Sequence, residues 1–202
     1  MRELQLSDII KIDNKIKELE DKIKQNGEEF INLLNNSAKE LQGESEGLIN
    51  IKKSSCVKFS LELGKYEIVI FLMDVYAVPS ENMKELEDKN ITINMIANNQ
   101  NYQKYYCGCI SFYYIEKGFN EESPIFLQRA FINKDFDIAF QSSNKYIMFQ
   151  SKDMIIKDLK SILVVMISEL FNCIPYYLGT DDIFQIDKSS LVNRKYNSIG
   201  FK

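Results

Sequence analysis

Apolar residues recur at alternating spacings of three and four over the first part of the chain. This spacing keeps them on one narrow stripe of a helix, as in the seam of a coiled coil. The stripe consists of Ile9, Ile12, Ile16, Leu19 and Ile23. Asn26 and Gly27 interrupt the pattern, and glycine is favoured just past a helix end, so the sequence predicts a break there and a second helix over 28–41. Either these helices pack on the protein's own sheet, or the stripe mediates self-association or partner docking.

From Ile49 onward the apolar period changes from helical spacing to about two, which is the period of a half-buried strand. Residues 57–63 alternate between apolar and polar, and Gly64 and Lys65 fit a hairpin turn after them. Residues 68–73 are apolar at every position, which predicts a central strand. Further β-branched and aromatic runs predict strands over 91–96, 105–115, 125–132, 136–140 and 146–149. The short loops between them favour an antiparallel meander.

Residues 152–173 carry the strongest helical pattern outside the N-terminal segment. Residues 162–167 are apolar all round, so the second half of this helix is predicted to be deeply buried. The sequence therefore predicts an α+β fold with an N-terminal helical, coiled-coil-like arm, a central, mainly antiparallel β-sheet and a long C-terminal helix packed on the sheet. The predicted division is a helical arm over 1–47, as a coiled coil or a helical hairpin, and an α+β globular domain over 48–202.

Composition and charge argue against several classes of partner. The formal charge is −4, and adjacent basic residues occur only as two isolated pairs, Lys52 with Lys53 and Arg194 with Lys195. Broad nucleic-acid binding needs a concentrated basic surface and is therefore not expected. The sequence shows no secretory signal and no apolar run of about 20 residues, which predicts a cytoplasmic protein without a membrane partner. The four cysteines are accordingly expected to be reduced thiols.

The chain has no histidine, which removes the usual general base at neutral pH and the commonest metal ligand. Ser-His-Asp and Cys-His catalytic groups are thereby excluded, and no glycine-rich phosphate loop is present. Cys107 and Cys109 would share one side of a strand and could bind zinc or act in redox chemistry. A four-thiolate zinc site would need Cys56 and Cys173 from distant elements, so packing of small apolar side chains is the favoured interpretation. No metal, cofactor or catalytic residue is assigned.

Three aspartates are candidates for the polar centre of a small-molecule pocket. Asp74 interrupts an apolar strand, and a buried charge there would need a hydrogen bond or an ion pair. Asp135 and Asp137 lie two residues apart and could hold a hard cation together with a glutamate. Two solvated carboxylates flanking an inward-facing Phe136 explain the second pattern equally well.

Five tyrosines fall close together in the middle of the chain: Tyr102, Tyr105, Tyr106, Tyr113 and Tyr114. Alternation along a strand places neighbours such as Tyr113 and Tyr114 on opposite faces, so part of this set is expected at the surface. Exposed tyrosines are favoured at protein interfaces because they bury a large area at low entropic cost. The set is therefore predicted to bind a protein partner, with the alternative that it covers the core from the wet face of a sheet.

These observations favour a non-enzymatic protein-binding module over an enzyme. The module would sequester or inhibit a protein partner, in the manner of an immunity protein, a phage-encoded inhibitor or a dedicated chaperone. One alternative is an enzyme or small-molecule sensor with a carboxylate-centred pocket. Another is a self-assembling scaffold, since the apolar stripe of the arm predicts a homo-oligomer.

Overall fold

A computed structural model of the 202-residue chain describes residues 5–77, 91–116, 124–140 and 149–173, with the side chains of 74–77, 125 and 169–173 left out. In chain order the elements are α1 (Leu6–Glu44), β1 (Asn50–Ser55), β2 (Lys58–Leu63), β3 (Tyr66–Ala77), α2 (Ile93–Asn98), α3 (Gln100–Gln103), β4 (Cys107–Glu116), β5 (Ile125–Ile132), β6 (Ile138–Phe140) and α4 (Lys152–Cys173). Within these residues the six strands form one sheet in chain order, and every neighbouring pair is antiparallel. The predicted α+β fold with an antiparallel sheet and a C-terminal helix is confirmed.

Two-residue turns join the first three strands. In the turn between β2 and β3, Gly64 has a φ of 62°, a left-handed conformation that glycine adopts without steric cost. Leu63 and Tyr66 then lie opposite each other on the two strands. The hairpin predicted at Gly64 and Lys65 is therefore confirmed.

The helix α1 runs without interruption for 39 residues, so the predicted break at Asn26 and Gly27 was wrong. Gly27 is buried against β3, and a Cβ built on it would lie 2.8 Å from Leu72 Cδ1. The amide of Asn26 donates through Nδ2 to the main-chain oxygens of Asn133 and Lys134, at 3.0 and 3.1 Å. The glycine therefore permits close approach of the helix to the sheet, and the asparagine ties the helix to the turn after β5.

Both long helices contribute to one main hydrophobic core with the same surface of the sheet, which we call the covered face. The core includes Phe30, Ile31 and Leu34 of α1, Ile155, Leu159 and Leu163 of α4, and Phe59, Ile68, Ile70, Phe112 and Ile132 of the sheet. Burial of each large apolar side chain contributes about 1.5–3 kcal/mol of hydrophobic free energy. Ion pairs of Lys152 with Glu29 and of Lys160 with Glu44 tie α4 to α1 along the core.

The second half of α4 is buried on one side only. Ile162, Leu163 and Met166 are buried, whereas Val164 and Val165 are 44% and 40% exposed. The prediction of burial all round was therefore wrong. The physical reason is that a helix lying on a sheet buries one stripe, whatever residues occupy its outer side.

Residues 91–96 were predicted as a strand, and this prediction was wrong. Most of them belong to α2, which begins after Thr92, and the Thr92 hydroxyl accepts a hydrogen bond from the N–H of Met95 at 3.3 Å. Ile96 is buried in a small cluster with side chains of α1. A short apolar run fits a strand and a helix equally well by pattern, and here the cap and the contact with α1 decide.

Candidate binding face of the sheet

The sheet surface opposite the covered face carries a row of aromatic side chains on three neighbouring strands. Successive residues of a strand point to opposite faces, so Phe71 on β3 points away from the core that contains Ile70 and Leu72. Tyr113 on β4 points away from the core in the same way beside the buried Phe112. We call this surface the aromatic face and define it by Phe71, Tyr113, Phe126 and Arg129.

The rings of the aromatic face form a continuous row from β3 to β5. Phe71 and Tyr113 stack with centroids 5.5 Å apart and planes inclined by 14°. Tyr113 and Phe126 meet edge to face, with centroids 5.7 Å apart and planes at 74°. The guanidinium carbon of Arg129 lies 4.9 Å from the centroid of the Phe126 ring. All four residues are half-buried, so each side chain is held by its neighbours while part of it stays accessible.

A β-bulge produces this arrangement. Phe112 pairs with Gln128, but Tyr113 pairs with Phe126, which leaves Leu127 as an extra residue on β5. An extra residue in one strand re-aims the side chains beyond it. Phe126 thereby comes opposite Tyr113, and Leu127 packs against the main core.

Arg129 forms no ion pair with the residues that the structure describes. Its Nε is buried and makes no hydrogen bond. Elsewhere on the sheet, Lys52 pairs with Glu62 at 2.5 Å and Lys65 pairs with Glu116 at 2.6 Å. Arg129 therefore places a half-buried positive charge with unused donors among the aromatic rings.

Weak hydrogen-bonding groups surround Arg129 on the inner side of the aromatic face. Ser111 is directly opposite Arg129 on the neighbouring strand and is fully buried. Its hydroxyl donates to Met73 Sδ at 3.1 Å, and Cys109 Sγ lies 3.8 Å from Ser111 Oγ. Sulfur is a weak hydrogen-bonding group, and neither of these contacts involves the Arg129 guanidinium.

Cys107 and Cys109 pack in a small apolar cluster on the same side of the sheet as the aromatic face. Burial raises the pKa of the Cys107 thiol, and the neighbouring Cys109 thiol raises it further. Burial also raises the pKa of Cys109, while the Ser111 hydroxyl and the Arg129 charge act in the opposite direction. Both thiols are therefore protonated at neutral pH, as expected for side chains packed in an apolar cluster. Among the described residues no cluster of three or more His, Cys, Asp or Glu side chains is arranged to hold a metal ion.

The five sequence-predicted tyrosines lie on different surfaces. Tyr113 belongs to the aromatic face, whereas Tyr105 and Tyr114 are buried. The hydroxyl of Tyr106 donates to a glutamate of α1 at 2.7 Å. Tyr102 packs against the N-terminal half of α1. The structure thus brings Tyr113 together with two phenylalanines and an arginine, and not with the other four tyrosines.

Sequence reasoning missed Phe71, Phe126 and Arg129. Phe71 lies in the run 68–73, whose apolar residues at every position predicted a central strand but did not indicate which side chains stay accessible. A signal for Arg129 was present, because it is a charge inside an apolar strand, as is Asp74. The side chain of Asp74 lies outside the described residues.

The apolar stripe of α1 divides into two parts. Leu19 and Ile23 are buried against α2, so this part packs on the protein's own domain. Ile12 and Ile16 are half-buried, and Ile9 is 49% exposed. The structure does not confirm a coiled coil.

Asp135 and Asp137 lie at the turn between β5 and β6 and make contacts within it. The side-chain oxygen of Asn133 accepts hydrogen bonds from the N–H groups of Asp135 and Asp137, at 3.0 and 2.9 Å. Lys134 Nζ donates to both carboxylate oxygens of Asp135, at 2.6 and 2.7 Å. Phe136 between them is buried and has a φ of 63°, an uncommon conformation for a bulky residue. The Asp137 carboxylate accepts a hydrogen bond from Asn133 Nδ2 at 3.3 Å, so both carboxylates have local roles in shaping the turn.

No protein-family model, no curated protein and no solved structure matches the chain. The described helices include none that is long and apolar enough to span a bilayer. Function is therefore inferred from the chain's own geometry.

Proposed function

We propose that the protein is a non-enzymatic protein-binding module of the cytoplasm, which sequesters or inhibits a protein partner through the aromatic face. The observation that carries this proposal is the row of half-exposed rings on the side of the sheet opposite the two long helices. Phe71 and Tyr113 are neighbours of fully buried core residues, yet both remain partly accessible.

Physical chemistry supports this use of the surface. Aromatic side chains bury a large area while losing few rotamers, and they dominate the energetics of protein interfaces. The rings lie on paired strands, so little conformational entropy would be lost when a partner packs on them. Arg129 adds a planar set of hydrogen-bond donors at the end of the row. Arginine is enriched in protein interfaces because its planar guanidinium can donate several hydrogen bonds at once.

The test compares two variants of Tyr113 in affinity purification from the native host, followed by mass spectrometry and light scattering. Tyr113→Phe keeps the ring and should retain a stoichiometric partner. Tyr113→Ala removes the ring and should weaken that complex by at least about tenfold, which is the effect of a residue worth more than 1 kcal/mol in binding. A complex that survives Tyr113→Ala unchanged would place the partner elsewhere.

A second candidate is self-association through the start of α1. Leu6, Ile9 and Ile10 are 73%, 49% and 52% exposed, and they lie within two turns of one helix. Light scattering of the purified chain gives the mass of the particle in solution. A multiple of 23.6 kDa that falls to one chain in Leu6→Gln/Ile10→Gln, but not in the control Lys11→Gln, would support this candidate.

A further inference from the structure

Arg129 has one buried donor, its Nε, for which the described residues supply no acceptor, and such a donor costs free energy. Its guanidinium rests on Phe126, and its Nε is withdrawn from solvent without a hydrogen bond. A buried donor that lacks a partner is destabilising, and a buried charge more so. The nearest side chain across the strand, Ser111, donates its own hydrogen to Met73. The described neighbours of Arg129 therefore do not explain why an arginine occupies this position.

A ligand that supplies an acceptor for the Arg129 donor would explain why an arginine occupies this position. The guanidinium is planar and offers five donors in a fixed fork, which matches the two oxygens of a carboxylate. Its neighbours restrict the ligand further, because the Phe126 ring beside the guanidinium is followed in the row by the half-exposed rings of Tyr113 and Phe71, which add apolar area. A small inorganic ion would leave that area in water, whereas a protein segment can cover it.

We propose that Arg129 receives the carboxylate of an aspartate or glutamate on the partner protein, with apolar side chains of the same segment covering Phe71 and Tyr113. This inference rests on the proposed function and names the chemistry of the partner. The positive charge of Arg129 favours an acidic residue on the partner. The row of rings favours apolar residues next to that acidic residue. In an extended segment alternate side chains are about 6.6 Å apart, which is close to the 5.5 and 5.7 Å that separate successive rings.

The experiment is a selection from a displayed library of random peptides on the immobilised full chain. The expected result is enrichment of peptides that carry Asp or Glu flanked by apolar residues. Binding of an enriched peptide should weaken roughly tenfold to a hundredfold in Arg129→Gln and in a peptide whose acid is replaced by its amide, as for a lost charge-assisted hydrogen bond. Arg129→Lys keeps the positive charge but loses the planar pair of donors, so its affinity should lie between those of Arg129→Gln and the parent.

Lys157→Gln is the matched control, since Lys157 is an exposed cation on α4, the helix that packs on the covered face. It should leave peptide binding unchanged. The NMR resonance of the Arg129 side-chain Nε–H gives a second readout. It should shift when the acidic peptide is added and not when the peptide with the amide in place of the acid is added. This measurement uses the parent chain and so does not require a folded variant.

Three outcomes would overturn the inference: selection of peptides without acidic residues, acidic peptides that bind Arg129→Gln as tightly as the parent, or an Nε–H shift that sulfate alone reproduces. None of these outcomes decides the proposed function, which depends on Tyr113. Loss of the native partner in Tyr113→Ala with no loss in Arg129→Gln would leave a protein-binding module whose partner makes no ion pair with Arg129.

Discussion

The two faces of the sheet are built from the same strands and both carry apolar side chains, yet only the covered face contributes to the main core. Ile70 and Phe112 on the covered face are fully buried, while their chain neighbours Phe71 and Tyr113 on the aromatic face are half-exposed. The difference comes from α1 and α4, which pack on one face. A strand pattern determines which residues share a face, but the helices determine which face is the core.

The sharpest comparison of the two faces uses two adjacent residues of β4. Phe112→Ala removes a fully buried ring from the main core and should lower the free energy of unfolding by about 3–5 kcal/mol. Tyr113→Ala removes a half-exposed ring and its contacts with two others, and should cost about 1–2 kcal/mol. Urea denaturation of both variants measures the difference. Equal losses would mean that the aromatic face is as much a core as the covered face.

The turn after β5 ties α1 to the sheet, and Asn133 is at the centre of this turn. Its side chain accepts from two main-chain N–H groups and donates to the Lys104 carbonyl at 3.4 Å, while its own carbonyl accepts from Asn26 of α1. Asn133→Ala leaves buried donors unsatisfied and should lower the free energy of unfolding by about 3 kcal/mol. Asn26→Ala removes donors to two carbonyls from a partly buried position and should cost about 1 kcal/mol. A smaller loss for Asn133 than for Asn26, in the same urea experiment, would contradict this ranking.

The buried thiols of Cys107 and Cys109 make the free energy of unfolding depend on pH in the alkaline range. Unfolded thiols ionise near pH 8.5, whereas burial raises the pKa of Cys107 and Cys109 in the folded chain. Above about pH 8.5 the unfolded state therefore binds fewer protons than the folded state, and the free energy of unfolding falls as pH rises. The loss should reach about 1 kcal/mol from Cys107 at about pH 9.5, with a further loss in the same direction from Cys109.

Denaturation at neutral and alkaline pH tests this dependence. The Cys107→Ala/Cys109→Ala variant should lose less stability than the parent between the two conditions, whatever its stability at neutral pH. Cys56 is exposed, so Cys56→Ala serves as the control and should follow the parent. A decline in the double variant as steep as that of the parent would assign the pH dependence to other groups.

Local pattern predicted the elements whose form depends on local interactions. The strand over 125–132 and the helix Lys152–Cys173 have the predicted bounds, because alternation and helical periodicity extend over their whole length. The break at Asn26 and Gly27 was predicted wrongly, because the contact that explains the glycine comes from Leu72, far along the chain. No local pattern contains that contact.

The candidate site was harder to predict for the same reason. Tyr113 was found because aromatic residues cluster around it in the sequence. Phe71 was missed because its exposure depends on where α1 and α4 pack, and Phe126 because a bulge brings it opposite Tyr113. Arg129 was visible as a charge in an apolar strand, but the absence of a partner is a property of the folded chain.

The contact that holds α1 on the covered face can be tested by one substitution made at two positions of that helix. Gly43 has open space around its Cβ position, so Gly43→Ala should raise the free energy of unfolding by about 0.5–1 kcal/mol through helix propensity alone. Gly27→Ala has the same gain in propensity, but its Cβ would lie 2.8 Å from a buried leucine, and overpacking costs about 1–3 kcal/mol. The net effect should be a loss of about 1 kcal/mol.

If the clash with Leu72 is the cause, Gly27→Ala should become stabilising in a Leu72→Ala background. Thermal or urea unfolding of the parent, the two single variants and the double variant tests this expectation. A Gly27→Ala variant as stable as Gly43→Ala would show that the helix can move away from β3 without loss, and that the covered face is packed less closely than the structure indicates.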